Sequence, residues 1–259
     1  MIVSTPETAA RRYSLLLTTE ADDVAAAQAL RHRVFAGELG ATLDTPVPGL
    51  DVDRFDEFCD HLVVREDGSG EIVGTYRMLP PQRARAAGGL YAEDEFDLSR
   101  LDPLRDSMVE TGRSCVHPDH RAGAVVGLVW AGIARYLLLT GHRWLIGCAS
   151  VPLADGGFRA AGVWDRVQAG HLAPPEYRTT PRRPWDPSAV SRHRSTTMPP
   201  LLRGYLRLGS WVCGPPAHDP DFGVADFPVL LGMDHIDRRY LRFFLGEEAG
   251  AGSTAGATA

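Results

Sequence analysis

The chain has 259 residues, of which 44% are hydrophobic and 23% charged, as expected of a folded globular protein. Its formal net charge of −6 leaves no basic excess, so the composition argues against a nucleic-acid partner. No apolar stretch reaches the roughly 18 to 20 residues that a membrane-spanning helix needs. The first residues also lack the pattern of a signal peptide, so we expect a cytoplasmic protein.

The four cysteines, Cys59, Cys115, Cys148 and Cys213, do not form the closely spaced pairs typical of metal sites. Isolated cysteines of this kind are usually small buried side chains in a reducing compartment. We therefore expect no metal site. All 27 basic residues are arginines, to which we attach no functional meaning.

Strands and helices alternate along the chain, which predicts an α/β fold in one domain over residues 12–245. In order, we predict a flexible start (1–11), a strand (12–18), a helix (20–39), two strands joined by a hairpin turn (61–65 and 72–79), a charged strand (108–116), an apolar helix (123–141), a strand (144–150) and a late strand (227–231). Residues 173–200 are rich in proline and arginine and predict an insertion or loop. Residues 246–259 predict a disordered tail.

Charged residues interrupt two of the predicted strands, at Arg77, Glu110 and Arg113. Residues three apart on a strand face opposite sides, so Glu110 and Arg113 share a face only if a bulge intervenes, and Gly112 suits one. Two interpretations are open. The arginines bind a substrate carboxylate while the acid moves a proton, or the charges form a structural ion-pair network.

An acidic run precedes the second strand and contains Asp53 and Asp56. Clustered carboxylates hold a cationic substrate or a divalent ion, or simply form a solvated loop. The glycine and terminal glutamate of a calcium-binding loop are missing, which argues against calcium. On the preceding helix, Arg31 and Phe35 are four residues apart and share one face.

Two other segments are ambiguous by themselves. The loop that includes Arg121 and Gly123 lies between a strand and a helix, where backbone N–H groups bind anions, but it also suits an ordinary turn. Arginines near Trp185, between residues 178 and 194, form either a docking patch for an acidic partner or a solvent-exposed loop. No nucleophile elbow of a serine hydrolase is present.

Taken in order, these motifs resemble those of the acyl-homoserine-lactone synthases and, more closely, the L-ornithine Nα-acyltransferases and similar N-acyl amino acid synthases. The matching segments are Arg31-x-x-x-Phe35, Asp53-x-x-Asp56, Gly74-Thr-Tyr-Arg77, Glu110-x-x-Arg113, Val116-His-Pro-Asp-His-Arg121, Gly147-Cys-Ala-Ser150 and Leu201-Leu-Arg-Gly-Tyr-Leu-Arg-Leu-Gly209. The resemblance covers roughly residues 12 to 245. It implies a GNAT-like α/β fold, a twisted mixed sheet flanked by helices, with splayed central strands.

The resemblance also implies a reaction. A long acyl group, 3-hydroxylated, moves from acyl carrier protein to the α-amine of an amino acid, here L-ornithine, and gives a lyso-ornithine lipid. By matching position, the implied catalytic residues are Glu110, Asp53 and Asp56. The implied substrate-binding residues are Arg31, Phe35, Arg77, Arg113, Cys148 and Ser150, and the phosphopantetheine loop holds Arg121 and Gly123.

In two places the chain departs from the related patterns. Ala41 replaces the tryptophan expected of a homoserine-lactone synthase, and residues 121–126 lack the second glycine of a coenzyme A pyrophosphate loop. A carrier protein brings no pyrophosphate, so we expect an acyl carrier protein donor, with acyl-coenzyme A as the other possibility and no resident cofactor. A lipid product suggests membrane association. The alternatives are another carrier-dependent synthase, including a homoserine-lactone maker, or a non-catalytic acyl-carrier or lipid-binding module.

Overall fold

The computed structural model describes residues 11–121, 123–190 and 197–236. The predicted flexible start, apart from Arg11, and the predicted disordered tail lie outside these residues. Within the described ranges, no helix joins enough length to enough apolar character to cross a bilayer.

The strands and helices alternate much as the sequence predicts. The strands are β1 (Tyr13–Thr18), β2 (Asp60–Glu66), β3 (Ile72–Leu79), β4 (Phe96–Asp97), β5 (Met108–Val116), β6 (Trp144–Pro152), β7 (Thr180–Pro181), β8 (Trp211–Val212), β9 (Ala217–Asp219) and β10 (Val224–Gly232). The α-helices are α1 (Ala21–His32), α2 (Pro81–Ala86), α3 (Ala92–Glu95), α4 (Ala124–Thr140), α5 (Phe158–Gly170) and α6 (Pro200–Arg207).

Eight of the strands form one sheet in the order β1-β2-β3-β5-β6-β10-β8, with β9 paired to β10. Neighbours are antiparallel except β5 and β6, which are parallel. The two short strands β4 and β7 pair separately. The sheet is thus mixed and flanked by helices, which confirms the predicted fold class.

The parallel strands β5 and β6 part halfway along their length. Their pairing runs from Met108 opposite Trp144 to Thr111 opposite Gly147 and then stops. Beyond that point β5 continues to pair with β3, and β6 continues to pair with β10. The predicted splay of the central strands is therefore present, and it opens a gap inside the sheet.

A close approach fixes the place where the strands part. A Cβ atom on Gly147 would lie 2.7 Å from the backbone oxygen of Thr111. Real Cβ atoms do not come this near to a carbonyl oxygen, so glycine is the residue that lets the last pair of the ladder form.

Apolar layers cover both faces of the sheet. On one face, Ile133 of α4 and Val163 of α5 belong to a buried cluster with Met78 and Val109 of the sheet. On the other face, Leu30 of α1 belongs to a smaller buried cluster. α4 is apolar almost throughout and ends at Gly141, whose φ of 72° is the left-handed conformation that glycine adopts readily.

Helix α5 was not predicted, and three of the predicted elements differ from the prediction. The first helix is α-helical only to His32 and continues as a π-helix over Arg33–Glu38. The hydrogen bonds of a π-helix span one residue more than those of an α-helix, and the hydrophobic periodicity did not reveal this change. The late strand is longer than predicted, because β10 begins at Val224. The proline- and arginine-rich segment is tied to the domain, since β7 pairs with β4 and Trp185 donates a backbone hydrogen bond to Pro216.

Candidate active site

A cleft of about 780 Å³ opens where β5 and β6 part. Gly112 and Arg113 line it from β5, and Cys148 and Ser150 line it from β6. Asp226 adds a carboxyl group from β10, where it lies opposite Ser150. The cleft therefore has polar side chains on both of the separated strands.

A β-bulge turns Arg113 into this cleft. The pairing of β3 with β5 skips one residue between Thr75 opposite Cys115 and Arg77 opposite Gly112. Arg113, within the bulge, has a φ of 53°, and among the described residues it alone is a non-glycine with positive φ. The predicted bulge is present, but Arg113 and not Gly112 has the unusual backbone. An arginine in this left-handed conformation is held there by its surroundings.

Glu110 is buried in the wall of the cleft, with 6% of its surface exposed. Its two carboxyl oxygens accept hydrogen bonds from the backbone N–H groups of Tyr91 and Ala92, both at 2.7 Å. Burial raises the pKa of Glu110 to about 7. The two N–H donors lower this pKa, but their effect is smaller than that of burial. A carboxyl group with this pKa exchanges its proton near neutral pH and is suited to general base catalysis.

Beside the cleft, three arginines and three aspartates form a charge-balanced group that we call the Arg–Asp network: Arg31, Arg77, Arg113, Asp51, Asp53 and Asp56. Arg31 is fully buried and binds Asp56 through two parallel hydrogen bonds of 2.9 and 2.8 Å. Its Nε donates to Asp51 at 2.9 Å. The guanidinium of Arg31 is thus enclosed by carboxylates.

The other two arginines connect this network to the cleft. Arg77 contacts Asp53 at 2.6 Å and Asp56 at 3.2 Å. Arg113 forms ion pairs with Asp51 at 3.2 Å and Asp53 at 3.3 Å. Its guanidinium also lies 5.0 Å from the ring centres of Tyr91 and Phe222. Each arginine that lines the cleft is therefore oriented by acids behind it.

The aspartates of the network stay ionised. Burial would raise the pKa of Asp53 and Asp56, but the neighbouring arginines outweigh it and hold both pKa values below the usual range. Neither residue lines the cleft. The expectation that they hold a cationic substrate does not fit this geometry, because guanidinium groups already occupy their carboxylates.

The predicted site residues separate into two groups. Those that line the cleft are Phe35, Arg77, Glu110, Arg113, Cys148 and Ser150. Those that do not line it are Arg31, Asp53, Asp56, Arg121 and Gly123. Of these, Arg31 was predicted to bind substrate directly, but its complete burial among acids leaves it no path to a ligand.

The loop before α4 holds its arginine in an ion pair. Arg121 Nη1 and Nη2 lie 2.6 and 2.7 Å from the two carboxylate oxygens of Glu38. Glu38 lines the cleft. Gly123 comes directly before α4 and has a φ of 75°, a conformation that favours glycine. The cation that an anion site would need at this loop is therefore already neutralised.

Curated relatives match nearly the whole chain. The L-ornithine N(alpha)-acyltransferase of Brucella abortus (strain 2308) is 36% identical over 253 residues, covering 87% of this chain and 86% of the relative. That of Rhodobacter capsulatus is 32% identical, covering 93% and 97%. The chain belongs to the L-ornithine Nα-acyltransferase family. Its residues 30–131 also match the acetyltransferase (GNAT) domain model, and the protein is an acyltransferase.

Solved structures agree with this fold. A coenzyme A-dependent acyl-homoserine lactone synthase, BjaI, superposes with a TM-score of 0.55 at 18% identity, covering 94% of this chain and 91% of that one. The N-acyl amino acid synthase FeeM, from uncultured soil microbes, superposes with a TM-score of 0.52 at 14% identity, covering 86% and 92%. At these identities the likeness concerns the fold of the acyltransferase.

Two groups of side chains near the cleft were not predicted from the sequence. The first is a set of buried hydroxyl groups where the strands part. The Tyr76 hydroxyl is hydrogen-bonded to the Tyr205 hydroxyl and lies 3.4 Å from Thr111 Oγ1. Tyr76 and Thr111 line the cleft. Burial raises the pKa of both tyrosines, so they keep their protons.

The second group is an acid cluster formed by Glu95, Asp219 and Asp226, with one oxygen of each residue within 4.8 Å of the others. Asp219 and Asp226 line the cleft of the acyltransferase. A sequence signal existed for Asp226, because a charge interrupts the apolar run of Val224–Gly232 as Glu110 does in its own strand. No such signal existed for Glu95, because Glu95 follows two other acidic residues, Glu93 and Asp94, and does not stand out among them.

Proposed function

We propose that this protein transfers a long-chain, 3-hydroxylated acyl group from acyl carrier protein to the α-amine of L-ornithine. The product is a lyso-ornithine lipid. The observation that carries the proposal is the position of Glu110, a buried carboxyl group with a pKa of about 7 in the wall of a cleft between parted strands. The names of the relatives, which match over most of the chain, support L-ornithine as acceptor.

Glu110 accepts the proton that the amine must lose. A free α-ammonium group has a pKa near ~8 and cannot attack a thioester until it is deprotonated. As the amine nitrogen bonds to the thioester carbon, its proton passes to Glu110, directly or through a water molecule. The carbon–sulfur bond then breaks, the sulfur takes a proton from Tyr76, and the proton on Glu110 returns through water to the Tyr76 oxygen, so that the acyl amide and a thiol remain and both residues regain their starting forms.

Tyr76 supplies a proton to the departing sulfur. Its phenol stays protonated because burial raises its pKa, and it lies at the point where β5 and β6 separate. The neighbouring hydroxyls of Thr111 and Tyr205 form a short chain of hydrogen bonds with it. This arrangement orients the phenol and keeps it protonated until the sulfur departs.

Arg77 and Arg113 bind the α-carboxylate of the acceptor. Both guanidinium groups line the same cleft as Glu110. Planar guanidinium groups match carboxylates in a two-pronged geometry, and the aspartates behind them fix their orientation. Asp53 and Asp56 act in this scheme as positioning residues, and Arg31 anchors them.

The donor is an acyl carrier protein. The ion pair of Arg121 with Glu38 supports this, because a free cation in that loop is what the pyrophosphate of coenzyme A would need. Carrier proteins are acidic, and exposed arginines such as Arg182 and Arg183 offer a surface of the opposite charge.

The decisive experiment compares donors and acceptors directly. Purified protein is incubated with 3-hydroxyacyl carrier protein or 3-hydroxyacyl-coenzyme A as donor and with L-ornithine or S-adenosylmethionine as acceptor, and the products are identified by mass spectrometry. We expect Nα-acyl-ornithine from the carrier-bound donor. A lactone product, a clear preference for coenzyme A, or no transfer from either donor would each refute a stated part of the proposal.

A second experiment tests the carrier surface. Reversing Arg182 and Arg183 to glutamate should raise KM for the carrier-bound donor, with a dependence on salt, and leave KM for ornithine unchanged. The matched control reverses two exposed arginines at the β1 side of the sheet, Arg12 and Arg33. Equal effects in the two double variants would remove the surface from the proposal.

A further inference from the structure

The acid cluster is more deeply buried than its charge allows without a partner. Glu95, Asp219 and Asp226 are exposed over only 6%, 7% and 3% of their surfaces. They come from three different elements, since Glu95 ends α3, Asp219 ends β9 and Asp226 lies early in β10. Their oxygens nevertheless meet within 4.8 Å of one another.

No cation of the described residues forms an ion pair with this cluster; Arg113 lowers the pKa of Asp226 from nearby but forms its ion pairs with Asp51 and Asp53. Both carboxyl oxygens of Glu95 and Oδ1 of Asp226 are buried and accept no hydrogen bond of good geometry, although the Tyr91 hydroxyl lies near Glu95 and the Ser150 hydroxyl near Asp226. Asp219 Oδ1 accepts only backbone hydrogen bonds, from Asp221 at 2.9 Å and Phe222 at 3.1 Å. Buried carboxyl groups normally accept hydrogen bonds, so a ligand that carries N–H donors would stabilise these oxygens.

The electrostatics of the cluster agree with that geometry. Burial and the two neighbouring acids raise the pKa of Glu95 well above the usual range of a carboxyl group. Burial also raises the pKa of Asp226. Tyr91 and Cys148 face the same space and carry no positive charge, whereas Arg113, on the side of Asp226, lowers the pKa of that residue. Such a site gains most from a cation that restores the ionised form of its acids.

We propose that the acid cluster binds the side-chain ammonium group of the amino acid acceptor and so selects a dibasic substrate. This inference rests on the proposed function and deepens it, because it assigns the group that tells ornithine from a neutral amino acid. The role falls to Glu95, Asp219 and Asp226 because the carboxylates of Asp53 and Asp56 already bind arginines.

The size of the cluster suits an ammonium group. Three N–H donors at tetrahedral angles, each making a bond of about 2.8 Å, place their acceptors about 4.6 Å apart. The oxygens of the cluster all lie within 4.8 Å of one another, an upper bound that is compatible with this spacing. Two of the three acids line the cleft that contains Glu110 and Arg113, so a single amino acid has access to all of these groups.

The first test compares two acceptors that differ only in the side-chain amine, L-ornithine and L-norvaline. Replacing Asp219 by Asn or Glu95 by Gln should lower kcat/KM for ornithine by about 10- to 100-fold, the usual effect of removing a hydrogen bond to a charged group. The value for norvaline should stay within about threefold, since norvaline makes no such bond.

Asp94→Asn is the matched control, because it removes the same charge from an exposed residue next to Glu95 that does not line the cleft. Asp219→Asn keeps an acceptor oxygen for the backbone N–H groups of Asp221 and Phe222, so the loop retains its local hydrogen bonds. Equal losses on ornithine and norvaline would overturn the inference. An unchanged preference for ornithine would do the same.

The second test needs no acyl donor and therefore separates this inference from the proposed reaction. Calorimetric titration with L-ornithine at pH 7.5, in buffers of different ionisation enthalpy, counts the protons released on binding. Wild type should bind ornithine more tightly than norvaline and release protons, because the ammonium group drives Glu95 to ionise. Glu95→Gln should release fewer.

Binding without a difference between the two amino acids, or no binding of ornithine, would overturn the inference even if acyl transfer occurs. A divalent metal is the rival occupant. If EDTA abolishes ornithine binding, and if calcium or magnesium alone raises the melting temperature of wild type but not of Asp219→Asn, the cluster is a metal site and the inference fails.

Discussion

The Arg–Asp network and the acid cluster each bury or nearly bury three carboxyl groups beside the same cleft, but only the network has cations within it. In the network, Arg31, Arg77 and Arg113 match three aspartates, and the pKa values of Asp53 and Asp56 fall. In the acid cluster the pKa of Glu95 rises. Buried carboxyl groups thus act as a fixed support in one place and, in our proposal, as a binding group in the other.

Glu110 belongs to neither group and is expected to give the largest effect. Glu110→Gln should lower kcat by about 10²- to 10⁴-fold, the usual contribution of a general base. The amide accepts only one of the two backbone hydrogen bonds at this position, so the melting temperature should fall somewhat while the protein stays folded. Transfer rates measured in single turnovers would check this.

The same residue predicts the pH dependence of the wild type. A base acts in its deprotonated form, so the rate should fall as pH drops through about 7, where Glu110 takes up its proton. Glu110→Gln should lack this inflection. Glu93→Gln, on the same side of the cleft but paired with Arg105, is the control, and an equal loss in it would contradict the assignment.

The network is best broken at its most buried member. Arg31→Gln leaves Asp51 and Asp56 without their main partner, and we expect the free energy of unfolding to fall by about 3 to 5 kcal/mol. Urea denaturation measures this loss. Arg33→Gln removes an exposed ion pair with Glu71 and should cost at most about 1 kcal/mol. Similar losses in the two variants would mean that the network contributes no special stability.

The separation between the two walls of the cleft depends on Gly147. Gly147→Ala places a Cβ atom against the Thr111 carbonyl and should destabilise the fold by about 1 to 3 kcal/mol, with a loss of activity. Gly127→Ala is the matched control, because it lies within α4 with open space around its Cβ position. It should stabilise the helix by up to about 1 kcal/mol, and a loss there as large as that of Gly147→Ala would contradict the argument.

The last prediction concerns Glu95 and the pH dependence of stability. Its raised pKa means that the folded protein binds more protons than the unfolded chain above the ordinary carboxyl range, so stability falls as pH rises through that window. Glu95→Gln removes this penalty. The difference in melting temperature, variant minus wild type, should therefore grow from pH 5 to pH 8, and a difference that is constant with pH would contradict the assigned shift.

These contrasts also explain what the sequence could and could not predict. Arg77, Glu110 and Arg113 stood out because a charge in an apolar strand is a local signal, and all three line the cleft. Neighbouring residues did not show which acids pair with arginines and which do not. Whether Asp53 or Asp219 meets an arginine depends on which distant stretches the sheet brings together, and no spacing along the chain records that.

The Arg–Asp network has a consequence for how the chain reaches its native state. Its six charges come from α1, residues 51–56, β3 and β5. An arginine that left water before its acids arrived would be an isolated charge in an apolar interior, so the network should close only in the last step of folding. Substitutions there are then expected to accelerate unfolding while leaving the rate of folding nearly unchanged.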